Sequence, residues 1–81
     1  MRPARQWGVL FSHAQWNEEG TEREVEGPFA SIKEAMARGS SVSVSARVEH
    51  EVLVRADDSA PWLSGKGETV SDVVRRRWGT P

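Results

Sequence analysis

The chain has no cysteine, no tyrosine, two histidines and no long apolar run. Without cysteine there is no disulfide, no thiolate metal site and no cysteine nucleophile. A stapled secreted mini-protein is thereby set aside in favour of a reducing cytoplasm. No stretch approaches the roughly 20 apolar residues that a membrane span requires. The basic start, Met1-Arg2-Pro3-Ala4-Arg5-Gln6-Trp7, has no apolar run behind it of the kind a signal peptide carries. Neither His13 nor His50 has Cys, Asp or Glu at ligand spacing. Glu49 and Glu51 flank His50 but point to the opposite face if the segment is a strand. The serines at 40, 41, 43 and 45 lack a base partner for nucleophilic work. Gly65-Lys66-Gly67 lacks the glycine spacing, and the Ser or Thr after lysine, of a phosphate loop. These absences predict no cofactor, no metal and no enzymatic activity.

What is present fits one domain over residues 1–81, with frayed ends at 1–5 and 79–81 and a loop at 57–67. A chain of this length buries only about 60% of its unfolded surface, so its core is small. Net charge is −1, but the signs are segregated. Glu18, Glu19, Glu22, Glu24 and Glu26 cluster around a single Arg23, whereas Arg75, Arg76 and Arg77 form a block near the other end. Such asymmetry points to a macromolecular partner.

Trp7 to Trp16 reads as a strand with apolar groups on both faces, which places it inside a sheet. Asn17-Glu18-Glu19-Gly20 is hairpin material, and Thr21 to Glu26 is the returning strand. Gly27-Pro28 reads as its end, because proline cannot donate to a ladder. Ser31 and Glu34 have capping-box spacing for a helix whose stop is Gly39. Ile32, Ala35 and Met36 form its inward face, clamped by Phe29. From Ser41 to Ala56 apolar and polar residues alternate, broken only by Leu53, which predicts a strand. At ~3.3 Å per residue it would be about 50 Å long, far beyond the usual five or six residues. Either it bends near residues 47–50, or part of it projects and pairs with a second copy of the chain. Trp62 and Leu63 read as a lid after the Asp57–Pro61 turn. A second helix opens at Thr69 with Asp72 in capping-box register, carries Val70, Val73, Val74 and Trp78 inward, and stops at Gly79. The predicted fold is α+β: a small antiparallel sheet in the order β-β-α-β(long)-α, with a single layer of helix on the sheet.

Two groups of residues stand out as binding candidates. Trp16 and Trp62, together with Glu22, Glu24 and Glu26 spaced about 7 Å apart along one strand face, would suit a protein partner. Arg75, Arg76, Arg77 and Trp78 would suit nucleic acid, with guanidinium groups on phosphates and an indole on a base. The structural counter-reading has the arginines offset the helix macrodipole while Trp78 packs inward.

Over about ten residues, Thr69-Val-Ser-Asp-Val-Val-Arg-Arg-Arg77 resembles the first helix of ribbon-helix-helix DNA-binding proteins. That family places a second helix next, and this sequence does not. The hairpin followed by Gly27-Pro-Phe-Ala-Ser-Ile-Lys-Glu-Ala35 resembles a layout of short strand-strand-helix-strand proteins of actinobacteria and their phages. The resemblance covers the first half of the chain and implies an accessory role with no stated activity. The reading that emerges is a non-enzymatic interaction protein, a phage-type or mobile-element-type modulator of a host protein. The alternative is a nucleic-acid-binding regulator.

Overall fold

The computed structural model describes residues 5–79. It contains strands β1 (Gln6–Phe11), β2 (Glu26–Phe29), β3 (His50–Arg55) and β4 (Leu63–Ser64), and helices α1 (Ile32–Ala46) and α2 (Val70–Trp78). The sheet is antiparallel throughout, in the order β2-β1-β3-β4. The expected α+β class and antiparallel sheet are present. The fraying expected at 1–4 and 80–81, and the basic contribution of Arg2, lie outside the described residues.

Apolar side chains on both faces of β1 and β3 decide the layering. Val9 and Phe11 face α1 and pack with Ala35, while Leu10 and Leu53 face α2 and pack with Val70, Val73 and Val74. A sheet that is apolar on both sides must be covered on both sides. The two helices therefore take opposite faces, which corrects the single helical layer expected from the pattern.

The hairpin is also shorter in pairing than its sequence implied. Trp7 pairs with Phe29 and Val9 with Glu26, with an irregularity between them, and the chain turns at residues 12 and 13. Pairing resumes only at the Trp16–Arg23 bridge, next to the Asn17–Gly20 turn. Gly27 and Pro28, read as a stop, lie inside β2. Proline is tolerated there because β2 is an edge strand.

The largest correction concerns residues 41–56. There is no long strand: Ser41 to Ala46 continue α1, and only His50–Arg55 is strand. The dimer through strand 41–56 loses its basis with it. Ser31 accepts from the Glu34 amide as N-cap, and the Glu34 carboxylate reaches back past it to accept from the Ala30 amide, one residue before the position a capping box uses. Gly39 does not stop the helix. The stop is Arg47, in the left-handed conformation (φ 56°, ψ 47°), with its amide bonded to the Ser43 carbonyl. Gly39 is buried because the His50 ring lies where a Cβ would stand, with Nε2 only 2.8 Å from that position. Ile32 and Met36, expected inside, are exposed instead.

The predicted loop at 57–67 contains β4. Asp57 turns the chain by accepting from the Ser59 amide and hydroxyl. Ser64 is buried, and its hydroxyl accepts from the Lys66 and Glu68 amides while donating to the Glu68 carboxylate. That knot leads directly into α2, which opens at Thr69 and closes at Gly79 as its sequence predicts.

Candidate functional site

The arginine end of α2 faces the carboxylates of β3 and of the turn before the helix. Arg76 donates from Nε and Nη2 to Glu68 at 2.7 and 2.8 Å and lies 3.9 Å from Glu51. Arg77 donates from Nη1 to the His50 carbonyl at 2.6 Å and to Glu51 at 2.8 Å. Its Nη2 lies 3.9 Å from Glu49, whose other oxygen accepts from the Trp78 indole at 2.7 Å. Arg75 is the most exposed of the three and makes only a 3.5 Å contact with Asp72. The Arg76 bond holds the Glu68 carboxyl below the usual carboxylate range, assisted by Ser64, while Glu68 pushes the Arg76 guanidinium up. The residues proposed for phosphate recognition are thus gathered in one place, with two of the three guanidinium groups held by the protein's own carboxylates.

The tryptophans are all half-buried, and Trp16, Trp62 and Trp78 each have an arginine against the ring. Arg23 lies 5.4 Å from the Trp16 ring centroid and 5.9 Å from that of Trp78, and Arg77 lies 5.2 Å from the Trp78 centroid. The Arg23 Nη1 donates to the Ser12 carbonyl, and its buried Nε has no partner. Trp16 and Trp78 are therefore brought together through Arg23, although the sequence assigned them to different sites. Trp62 stands apart, stacked 4.2 Å under Arg55 and against Gly8. It folds back over the α2 face of the sheet at the rim of that core, whereas Leu63, read with it as a lid, is part of β4.

Of the acidic candidates, Glu26 pairs with Arg38, at 2.5 Å, and anchors α1 to the β2 edge. Among the described residues no cation lies within ion-pair distance of Glu18, Glu19, Glu22 or Glu24. The even comb of Glu22, Glu24 and Glu26 is broken, because 24 and 25 lie in the gap between the bridge and the ladder. That gap is an open cleft of about 390 Å³ lined by Phe11, His13, Gln15, Glu24, Val25 and Glu26. Among the described residues no three His, Asp or Glu side chains converge to hold a metal. No helix among them is long and apolar enough to cross a membrane.

The sequence reading missed the outer side of α1. Only Ala35 and Gly39 of its fifteen residues are buried, and Ile32, Met36 and Val44 are 45%, 52% and 80% exposed. The helix covers β1, β3 and β2 but does not reach β4. Val54 and Leu63, paired across β3 and β4, are left half-exposed on the same side. A helical wheel on the correct helix length would have exposed this, since Gly39 and Val42 join Ala35 inward and displace Ile32 and Met36. No protein-family model, curated protein or solved structure matches the chain.

Proposed function

We propose that the protein acts in the cytoplasm by binding another protein, as a small non-catalytic modulator. The observation that carries this reading is the outer side of α1. A helix of fifteen residues buries two of them and holds Ile32 and Met36 half in water on a sheet whose β4 it does not reach. Isolated exposed apolar groups are ordinary, but a contiguous apolar face rimmed by polar residues marks an interaction surface. The phage-type and mobile-element-type role implied by the hairpin-helix resemblance is compatible with such a module. The nucleic-acid alternative draws less support, because a phosphate must displace Glu68, Glu51 or Glu49 to reach Arg76 or Arg77.

The test is affinity capture from host lysate with and without nuclease, using the wild-type protein and an Ile32→Glu/Met36→Glu double variant. We expect a defined protein band that survives nuclease and disappears with the variant. Both positions are solvent-exposed, so the variant should keep its stability within about 0.5 kcal/mol per substitution. Recovery of nucleic acid, or a band that nuclease removes, would transfer the working site to Arg75 and its neighbours.

A further inference from the structure

The sheet opens where the chain turns at residues 12 and 13. On one side of the opening Val9 pairs with Glu26, and on the other Trp16 bridges Arg23, so the two backbones part between them. The cleft of about 390 Å³ that results is apolar at the bottom and polar at the mouth. Phe11 is buried, Ala14 and Val25 are half-buried, and all three pack into the cores, so they form the floor. His13, Gln15, Glu24 and Glu26 are exposed and form the rim. The Glu24 amide donates to the Gln15 carbonyl at 2.7 Å, which holds these two rim residues opposite each other.

The hairpin around the cleft stays negative when its neighbouring cations are counted. Arg38 is held by Glu26. Arg23 lies against the Trp16 and Trp78 rings with Nη1 on the Ser12 carbonyl, and does not line the cleft. With Arg47 from the end of α1 added, three cations stand against the carboxylates of Glu18, Glu19, Glu22, Glu24 and Glu26. Among the described residues none of the three lies within ion-pair distance of Glu24. An apolar floor under a carboxylate rim fits one kind of polypeptide side chain. Arginine and lysine lay an aliphatic stem on apolar surface and keep the charged head at the water. Resting on the protein-binding reading, we infer that the cleft takes one cationic side chain of the partner. Its stem lies on Phe11 and Val25, and its head meets the Glu24 carboxylate and the Gln15 side-chain oxygen. Ile32 and Met36 do not line the cleft, so it is a second point of contact with a selectivity of its own. Glu18 and Glu19 are equally free of cations but line no part of it, which separates the site from the general charge of the hairpin.

The experiment titrates the isotopically labelled full chain with N-acetyl-arginine amide and with its citrulline analogue, which has the same shape and no charge. The arginine probe should shift the His13, Gln15, Glu24 and Val25 amides to saturation, and the citrulline probe should leave them in place. Glu24→Gln should weaken the arginine probe about two- to fivefold, the range of a single exposed ion pair. Glu18→Gln/Glu19→Gln removes more charge from the same hairpin and should weaken it less. All three side chains are exposed, and the same spectra report the folding of both variants. Equal loss in the two variants would overturn the cleft in favour of diffuse attraction to the hairpin. Equal shifts with both probes would overturn the selection for a cation, and no shift at these residues would overturn the site. Failure of the protein-binding reading looks different: the wild type captures no band from lysate while the cleft still takes the arginine probe.

Discussion

Gly39 shows how one residue can carry opposite meanings in sequence and in structure. In a helix interior alanine is favoured over glycine by about 1 kcal/mol, so propensity alone predicts that Gly39→Ala stabilises. The His50 ring against the Cβ position predicts the reverse, since overpacking a closed site costs about 1–3 kcal/mol. We expect Gly39→Ala to lower stability in urea unfolding, and to cost less in a His50→Ala background where the space is free. A stabilising Gly39→Ala would show that α1 sits further from β3 than described. The Glu68–Arg76 pair gives a second prediction. Glu68 has its folded-state pKa depressed chiefly by the Arg76 hydrogen bond. Its stabilisation is present above the unfolded carboxylate value of about 4.5 and is lost as pH falls through the lower folded value. Thermal melts should show Tm falling from pH 5 to pH 3, with a smaller fall in Glu68→Gln.

At the scale of elements, the two helix starts and the sheet's central strand were legible because their signals are local. Ser31 with Glu34, and Thr69 with Asp72, cap the helices they were read to cap. The end of α1 was not legible. Val42, Val44, Ser41, Ser43 and Ser45 alternate as a strand would, and β-branched residues favour one. Two facts outside the alternation overrule it. A capped helix extends one hydrogen bond per residue once nucleated, and with 41–46 helical Val42 and Val48 gain burial against Val9, Phe11 and Ala35. The candidate binding face was hidden by the same error, because its outer stripe follows from where the helix ends. Arg47 now takes the left-handed terminal position that glycine usually fills. A left-handed conformation costs a side-chain-bearing residue about 1–2 kcal/mol, partly offset by glycine's greater freedom when unfolded. Arg47→Gly should therefore raise stability by about 0.5–1 kcal/mol in chemical denaturation. An unchanged or lowered midpoint would argue that the Arg47 side chain contributes a contact worth as much.

Across the whole molecule, charge is sorted by whether it is answered internally. The α2 arginines meet Glu49, Glu51, Glu68 and Asp72, so the most basic run of the sequence presents little free positive charge. Among the described residues the carboxylates without an ion pair are Glu18, Glu19, Glu22, Glu24, Glu34 and Asp57. This ordering decides how the protein should respond to DNA. Each phosphate neutralised contributes a slope of about 0.9 in log K against log salt, and the gain is largest when the arginine is free beforehand. Here Arg76 and Arg77 would first have to give up bonds of 2.6 to 2.8 Å. Glu51 stands between both arginines and is about three-quarters buried, so it is the residue to change. Glu51→Gln removes the shared charge while keeping an acceptor oxygen, and should cost about 1 kcal/mol of stability. It should also loosen Arg77, while Arg76 stays on Glu68, enough to give measurable, strongly salt-dependent binding to a random-sequence duplex that the wild type binds weakly at ~0.15 M salt. Tight wild-type binding, unchanged by Glu51→Gln, would mean that the arginine cluster engages phosphate through Arg75 and the exposed guanidinium edges despite its internal partners. Weak wild-type binding that Glu51→Gln strengthens would establish that β3 keeps α2 from acting as a nucleic-acid helix.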